Sequence, residues 1–172
     1  MGKSCLDKFN QSITVGCTIP RVGIKDIYLM HAADVTLASD VGGNVTGATF
    51  ASGAASYKIE GYKQNIQLTT SVLSTDAALK LAVSVIFKIP ATNTYLMKTI
   101  LSGRYYVLVV RNSETDVLIG AQAPLECSGF DYDSNSGAGL ATVTLSAPEG
   151  SAGNYLTGIT EGASSTIISK SV

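Results

Sequence analysis

Hydrophobic and polar positions alternate along most of this chain, which predicts a protein built mainly of β-strands. The clearest strand spans residues 79–89, where every second residue is large and apolar: Leu79, Leu81, Val83, Val85, Phe87 and Ile89. Residues 23–31 form a short apolar run, which is consistent with a buried strand, and residues 104–111 have aromatic and β-branched residues on both faces of a strand. Further strands are predicted at 34–38, from Val45 onward, and at 57–60, 62–73, 117–120, 125–132 and 140–146.

Helical spacing is clear in one segment, after Pro90. Leu96 and Ile100 lie four residues apart, Thr92 or Asn93 can cap the first turn, and Gly103 follows the last one. We therefore expect a mainly β fold, a β-sandwich or partly closed barrel, with one short helix at about 91–102.

The length of 172 residues suits one domain with arms. We expect an N-terminal arm at 1–22, a β-rich module at 23–149 and a C-terminal arm at 150–172, which is rich in Gly, Ser and Thr.

Charged residues make up only 15% of the chain, against about 25% in typical proteins. This favours extensive contacts between subunits, although a neutral, well-hydrated Ser/Thr/Gly surface would have the same composition. The longest apolar stretch, 77–89, contains two lysines and is too short to span a membrane. No apolar segment follows Lys3, so we expect neither a secretory signal nor a membrane partner.

Charge is divided unevenly along the chain. Residues 1–111 contain eleven basic and six acidic side chains, and residues 112–172 contain one basic and seven acidic. Such polarity suits head-to-tail contacts between copies, unless the two halves interleave in space and their fields cancel.

The best candidate for a metal site is the alternating series Asp131, Asp133 and Asn135, whose oxygens could bind Ca²⁺. However, Gly137 stands one place later than the EF-hand pattern requires, and Thr142 occupies the position of its bidentate Glu. The same residue types also form ordinary hairpin turns. We expect no bound metal and no cofactor.

Candidate catalytic residues are few. His31 is the single histidine, with Asp34 nearby, and no local signature links it to Cys5, Cys17 or Cys127. The chain has no phosphate-binding loop, and a run such as Arg104-Tyr105-Tyr106 is more typical of a sheet surface than of a nucleic-acid site. We therefore expect a non-enzymatic protein with no catalytic residues.

The order of motifs resembles a group of small virion structural proteins of tailed bacteriophages that infect gut Bacteroidetes, including crAss-like phages. The resemblance rests on a Cys-containing N-terminal arm followed by Gly23-Ile-Lys-Asp-Ile-Tyr-Leu29, Asp34-Val35, Tyr57-Lys58, the strand 79–89, the short helix, Tyr106–Val110, Leu118-Ile119-Gly120, the Gly-rich loop 136–139 and Ala147-Pro148-Glu149. The sequence departs from the group at Ala121-Gln-Ala-Pro124 and in the Ser/Gly-rich C-terminal residues 150–172.

The resemblance implies a tail-tube-like subunit of a tail or head–tail connector ring, made in the host cytoplasm and located in the virion. Its implied partners are copies of itself and neighbouring neck or tail ring proteins, with DNA only as the contents of the channel, not bound sequence-specifically. Residues 1–22, the loop 39–56 and the C-terminal arm are candidate clasps between copies. An adhesive or carbohydrate-binding β-sandwich on the capsid or tail surface is the alternative, and a small hydrolase using His31 beside Cys or Asp is a third hypothesis.

Overall fold

A computed structural model describes residues 23–61, 65–75, 78–90, 94–111, 115–135, 139–148 and 156–172. The N-terminal arm predicted at 1–22 lies outside the described residues. The described part contains eleven strands and two helices: β1 (Ile24–His31), β2 (Val35–Ser39), β3 (Val45–Phe50), β4 (Tyr57–Glu60), β5 (Ile66–Thr75), β6 (Ala78–Pro90), α1 (Thr94–Ser102), β7 (Arg104–Arg111), β8 (Val117–Ile119), β9 (Leu125–Tyr132), β10 (Leu140–Ser146), β11 (Thr157–Gly158) and α2 (Glu161–Ser169).

Nine of these strands form one folded antiparallel sheet. One half has the order β4-β1-β7-β8-β11, and the other has the order β9-β10-β6-β5. The halves join at a corner, because β7 pairs with β9 only through Arg104–Glu126 and Tyr105–Leu125. The prediction of a mainly β, sandwich-like fold with a short helix is confirmed, and the described strands form no closed barrel.

The main core lies between the two half-sheets. Its inward-facing residues come from both halves: Ile27, Leu29, Val107, Val109 and Ile119 from the first, and Val83, Val85, Phe87, Val143 and Leu145 from the second. The alternation predicted for residues 79–89 therefore gives the buried face of β6 correctly at Val83, Val85, Phe87 and Ile89.

A second core covers the opposite face of β1, β7 and β8. There Tyr28, Met30, Leu108 and Leu118 pack against the β2–β3 hairpin and α2, through side chains such as Val35, Val45 and Ile167. This outer layer explains the apolar run of β1 and the apolar residues on both faces of β7. Gly43, at φ 82°, provides the left-handed residue in the turn of the hairpin.

The C-terminal segment differs from the arm expected at 150–172. Residues 150–155 lie outside the described part, but β11 pairs with β8 and α2 packs on the second core. Thr160 caps α2, accepting a hydrogen bond from the Ala163 amide at 3.4 Å, and Ala163 and Ile167 are spaced to face the sheet together. The described residues thus contain a second helix, α2, besides the one that the sequence predicted. Residues 156–172 lie against the rest of the fold, because the β2–β3 hairpin provides a facing surface for a few well-placed apolar side chains.

The chain end is also tied to the fold. Ser56, fully buried, donates its hydroxyl to the Ile167 carbonyl at 2.7 Å, and its backbone exchanges hydrogen bonds with Lys170 and Val172. The candidate clasp 39–56 is likewise not one loop, since it contains β3 and ends at this buried serine. In the described residues, both segments contact the rest of their own chain.

Candidate functional site: an open sheet edge and a shallow cleft

The longest open edge in the described part of the molecule belongs to β5. This strand has ten residues and pairs with β6 alone. None of its residues, Ile66-Gln-Leu-Thr-Thr-Ser-Val-Leu-Ser-Thr75, carries a charge. A long, uncharged edge is the kind of surface that promotes pairing with another chain.

Hydrogen bonding shows which backbone groups of β5 face outward. The Asn65 carbonyl accepts from the Lys88 amide at 3.2 Å, so the backbone of residue 65 points toward β6. Because backbone direction alternates along a strand, the N–H and C=O groups of Ile66, Leu68, Thr70 and Val72 point to the open edge. They are in position to accept one more antiparallel or parallel strand.

The far end of the β5–β6 hairpin extends beyond the rest of the sheet. β10 pairs with β6 only between Ser84 and Pro90, whereas β5 continues the pairing to Ala78. Val72, which shares the inward-facing side of β5 with Ile66, is therefore 62% exposed, whereas Ile66 is 7% exposed. This two-stranded ribbon presents apolar surface that the described chain does not cover.

The other open edges of the described sheets are shorter. β3 has six residues, β2 has five, β4 has four and β11 has two. The β4 edge also carries charged residues. Lys58 Nζ lies 3.7 Å from Asp26 Oδ2 and 3.2 Å from Glu60 Oε1. Both carboxylates hold the pKa of Lys58 above its ordinary value, first through the Glu60 hydrogen bond and then through the Asp26 charge. Charges of this kind oppose edge-to-edge pairing.

A shallow cleft of about 670 Å³ lies where β1 ends beside the α1–β7 junction. Its walls include His31, Ser102, Arg104 and Tyr106. The hydrolase hypothesis needs a cysteine or aspartate beside His31, and the residues that line this cleft include neither. Ser102 directs its hydroxyl to the carbonyls of its own helix at Lys98 and Thr99.

Two tyrosine rings contact the histidine. The ring of His31 lies 4.9 Å from that of Tyr105 and 6.0 Å from that of Tyr57, measured between centroids. Tyr105 donates its hydroxyl to the Thr99 carbonyl at 2.7 Å, which ties α1 to β7. Burial, with smaller effects of Cys127 and Tyr57, raises the pKa of Tyr105 to about 12. Tyr105 therefore stays neutral and packs against His31 from the main core.

The candidate metal ligands lie in the β9–β10 hairpin. Asp131 is on β9 opposite Thr142, and the Asn135 amide donates to Asp133 Oδ1 at 2.8 Å, as in a simple turn. All three candidate side chains are exposed, and the described ranges contain no cluster of three or more His, Cys, Asp or Glu residues suited to a metal. The arrangement is that of a hairpin turn, the alternative that the sequence left open.

The cysteines and Arg104 are the remaining candidate functional residues from the sequence. Cys127 is half-buried with Sγ 3.4 Å from the Gly129 carbonyl, and burial raises the pKa of its thiol, which lowers its reactivity at neutral pH. Cys5 and Cys17 lie outside the described residues. Arg104 is near Glu126, at 4.0 Å, in the paired β7–β9 corner.

Strands from the basic and acidic halves of the sequence interleave in the described sheet. β9 and β10, from the acidic half of the chain, lie between β7 and β6 from the basic half. The halves interleave, as the second interpretation of the sequence allowed. The only sequence signal for an open edge at β5 is its lack of charged residues. The residues of a strand do not show whether it has one neighbouring strand or two.

No helix in the described ranges is long and apolar enough to cross a membrane. No protein family model, no curated protein and no solved structure matches this chain.

Proposed function

We propose that this protein is a structural subunit that joins copies of itself into a ring, in a bacteriophage tail or head–tail connector of the kind its sequence resembles. The observation that carries the proposal is the open, uncharged, ten-residue edge of β5. In this proposal the protein is not an enzyme, and it works through its shape and its contacts within the virion.

An uncovered strand edge leaves backbone N–H and C=O groups available for pairing with another chain. A long flat edge with apolar side chains invites pairing with any other strand, and proteins usually shorten, charge or cover such edges. Here β4 is short and charged, but β5 is neither. Closing a ring would cover this edge in every copy. The surface that promotes aggregation of a monomer would then form the contact between subunits.

Rigidity of the subunit supports the same function. Strands β1, β7 and β8 are covered on both faces, by the main core on one side and by the β2–β3 hairpin and α2 on the other. Cover on two faces fixes the arrangement of these central strands, and the repeated contacts of a closed ring need such fixed geometry. DNA would pass through the channel without sequence-specific contacts, and neighbouring neck or tail rings would stack on the same particle.

The test is the mass of the purified chain in solution. Light scattering over a wide concentration range, with negative-stain imaging of the same fractions, should give a discrete oligomer and ring-shaped particles. Addition of the neck and tail components of its phage provides a template for subunits that close only on a neighbouring ring. A chain that stays monomeric at all concentrations and with those components would contradict the proposal.

One observation favours a second candidate function, carbohydrate binding. The cleft beside His31 combines the cation Arg104 with the aromatic side chain of Tyr106, and aromatic faces with a few polar groups are typical of small-ligand sites. If this function is correct, oligosaccharides should perturb the NMR signals of these residues. An Arg104→Ala variant should then lose binding without losing its fold, because Arg104 is an exposed residue.

A further inference from the structure

We propose that β5 of one copy pairs edge to edge with β2 of the adjacent copy. This inference rests on the proposed function, since it names the second surface of the contact between neighbouring subunits. The two surfaces differ, so the contact is heterologous, the type that joins copies head to tail and closes rings. Both strands belong to the described part of the chain, and each pairs with a single strand there.

The two strands of one chain lie on opposite sides of its central layer. β2 packs on the outer face of β1, β7 and β8, where Val35 and Leu37 belong to the second core. β5 belongs to the other half-sheet, and its Ile66 and Leu68 pack into the main core, on the inner face of the same three strands. Because the central layer separates β2 from β5 within a chain, pairing between these strands joins two copies.

The backbone of β2 presents hydrogen-bonding groups at its open edge. The Asp34 carbonyl accepts from the Ala51 amide at 2.8 Å, so the backbone of residue 34 points toward β3 at this carbonyl. Since backbone direction alternates along a strand, the N–H and C=O groups of Val35 and Leu37 point away from β3. They can exchange hydrogen bonds with the outward-facing groups at residues 66, 68, 70 and 72 of β5, as in strand addition.

The side chains of the two edges match as well. On both strands, the residues whose backbone points to the open edge include the apolar ones: Val35 and Leu37 on β2, and Ile66, Leu68 and Val72 on β5. Residues directly opposite each other share a face of the sheet, so pairing places apolar side chains beside apolar ones. It also gives an apolar neighbour to Val72, which is 62% exposed. Neither strand contains a charged residue, so no like charges oppose the contact.

The other edges that the structure describes fit β5 less well. The Gly61 amide donates to the Lys25 carbonyl at 2.8 Å, so the outward-facing backbone of β4 belongs to Lys58 and Glu60. Pairing there would place these charged side chains beside the apolar ones of β5. The outer edge of β3 contacts residues 159–160 of its own chain, β11 has two residues, and β9 lies beside α1 beyond its short pairing with β7.

Disulfide cross-linking tests this contact in full-length chains whose three native cysteines are replaced by serine. One chain carries Thr36→Cys, on the exposed face of β2, and a second, tagged chain carries Gln67→Cys, Thr69→Cys or Ser71→Cys, on the exposed face of β5. These positions meet in non-hydrogen-bonded pairs, where opposite side chains are close enough for a disulfide, and the three β5 variants scan the register. Thr70→Cys is the matched control, because Thr70 is also exposed but its side chain points to the other face.

After mixing and mild oxidation, the Thr36→Cys chain should form a mixed dimer with at least one of the three β5 variants, and none with Thr70→Cys. The absence of a mixed dimer with all three would overturn the inference. So would cross-linking of Thr69→Cys to itself, because that product shows two β5 strands paired about a twofold axis. An internal disulfide in a chain that carries both cysteines, shown by intact mass, would overturn it too.

A pair of charge variants separates this inference from the proposed function. Thr36→Lys with Thr69→Lys places like charges across the contact, whereas Thr36→Glu with Thr69→Lys places opposite ones, and both sites are exposed. We expect the concentration at half-assembly to be about fivefold lower for the Glu/Lys variant. No difference between the two variants would overturn the inference, and rings of the wild-type chain would then leave the ring function standing. A wild-type chain that never assembles, alone or with its neck and tail components, would contradict both.

Discussion

Replacing Ile167 with alanine tests whether α2 is a structural layer of this protein. Ile167 is fully buried and belongs to the second core, together with Tyr28, Met30 and Leu108. Truncation of a buried isoleucine loses its transfer free energy and leaves a cavity, at a cost of about 3 kcal/mol. That cost is a large share of the roughly 5–15 kcal/mol by which a domain of this size is stable.

This loss of stability should be measurable in both thermal and urea unfolding. For a chain of this length, each kcal/mol shifts the Tm by about 2–4 °C, so we expect a fall of about 6–12 °C. In urea the midpoint should fall while the slope of free energy against urea stays the same, because the extent of unfolding is unchanged. Differential scanning calorimetry and urea titration followed by far-UV circular dichroism provide the two readouts.

Ser165→Ala is the matched control, since Ser165 is an exposed neighbour on the same helix. Its effect should stay within about 0.5 kcal/mol. If Ile167→Ala shifted the Tm no more than this control, α2 would contribute no packing energy, and residues 156–172 would behave as the free arm that the composition alone suggested.

Three further predictions concern a buried tyrosine, a buried serine and the 131–135 loop. Stability should fall as pH rises from about 10 to 12: folding raises the Tyr105 pKa to about 12, so its contribution is complete below pH 10 and is lost above. Tyr105→Phe should weaken this alkaline loss, measured by urea titration at pH 9 and pH 11, and an unchanged profile would show that another group titrates. Ser164→Ala should cost about 1.5–3 kcal/mol, because Ser164 is buried and donates to the Asp116 carboxylate, whereas Ser165→Ala should not. Millimolar Ca²⁺ should leave the Tm unchanged, because the 131–135 loop is exposed and its Asp133 already accepts a backbone hydrogen bond; a rise of several degrees would restore the metal hypothesis.

Several elements of the fold were predictable because their signals are local. The alternation of β6 identifies its buried face, since a strand turns its side chains to opposite sides whatever its neighbours are. The helix after Pro90 ends at Ser102, before Gly103, as its spacing predicted. The apolar run of β1 and the apolar residues on both faces of β7 are likewise local signals, although they do not show which elements cover these strands.

The C-terminal helix shows where local patterns were insufficient. Residues 150–172 are poor in large apolar side chains, and this composition is typical of an arm. Ile167 is nevertheless buried, because the β2–β3 hairpin and the outer face of β1 provide a surface for it. The pairing of Ser56 with Lys170 and Val172 joins residues more than a hundred positions apart, and no local pattern specifies such a contact.

The β5 edge, on which the proposed assembly rests, likewise depends on both local sequence and tertiary structure. The alternation of residues 62–73 predicted a strand there, and no residue of 66–75 is charged, because side-chain period and charge are properties of the local chain. The tertiary structure is needed to show that β5 pairs with β6 alone among the described strands, and that strands from the acidic and basic halves interleave. The number and identity of a strand's neighbours depend on how distant segments pack, which hydrophobic alternation alone does not encode.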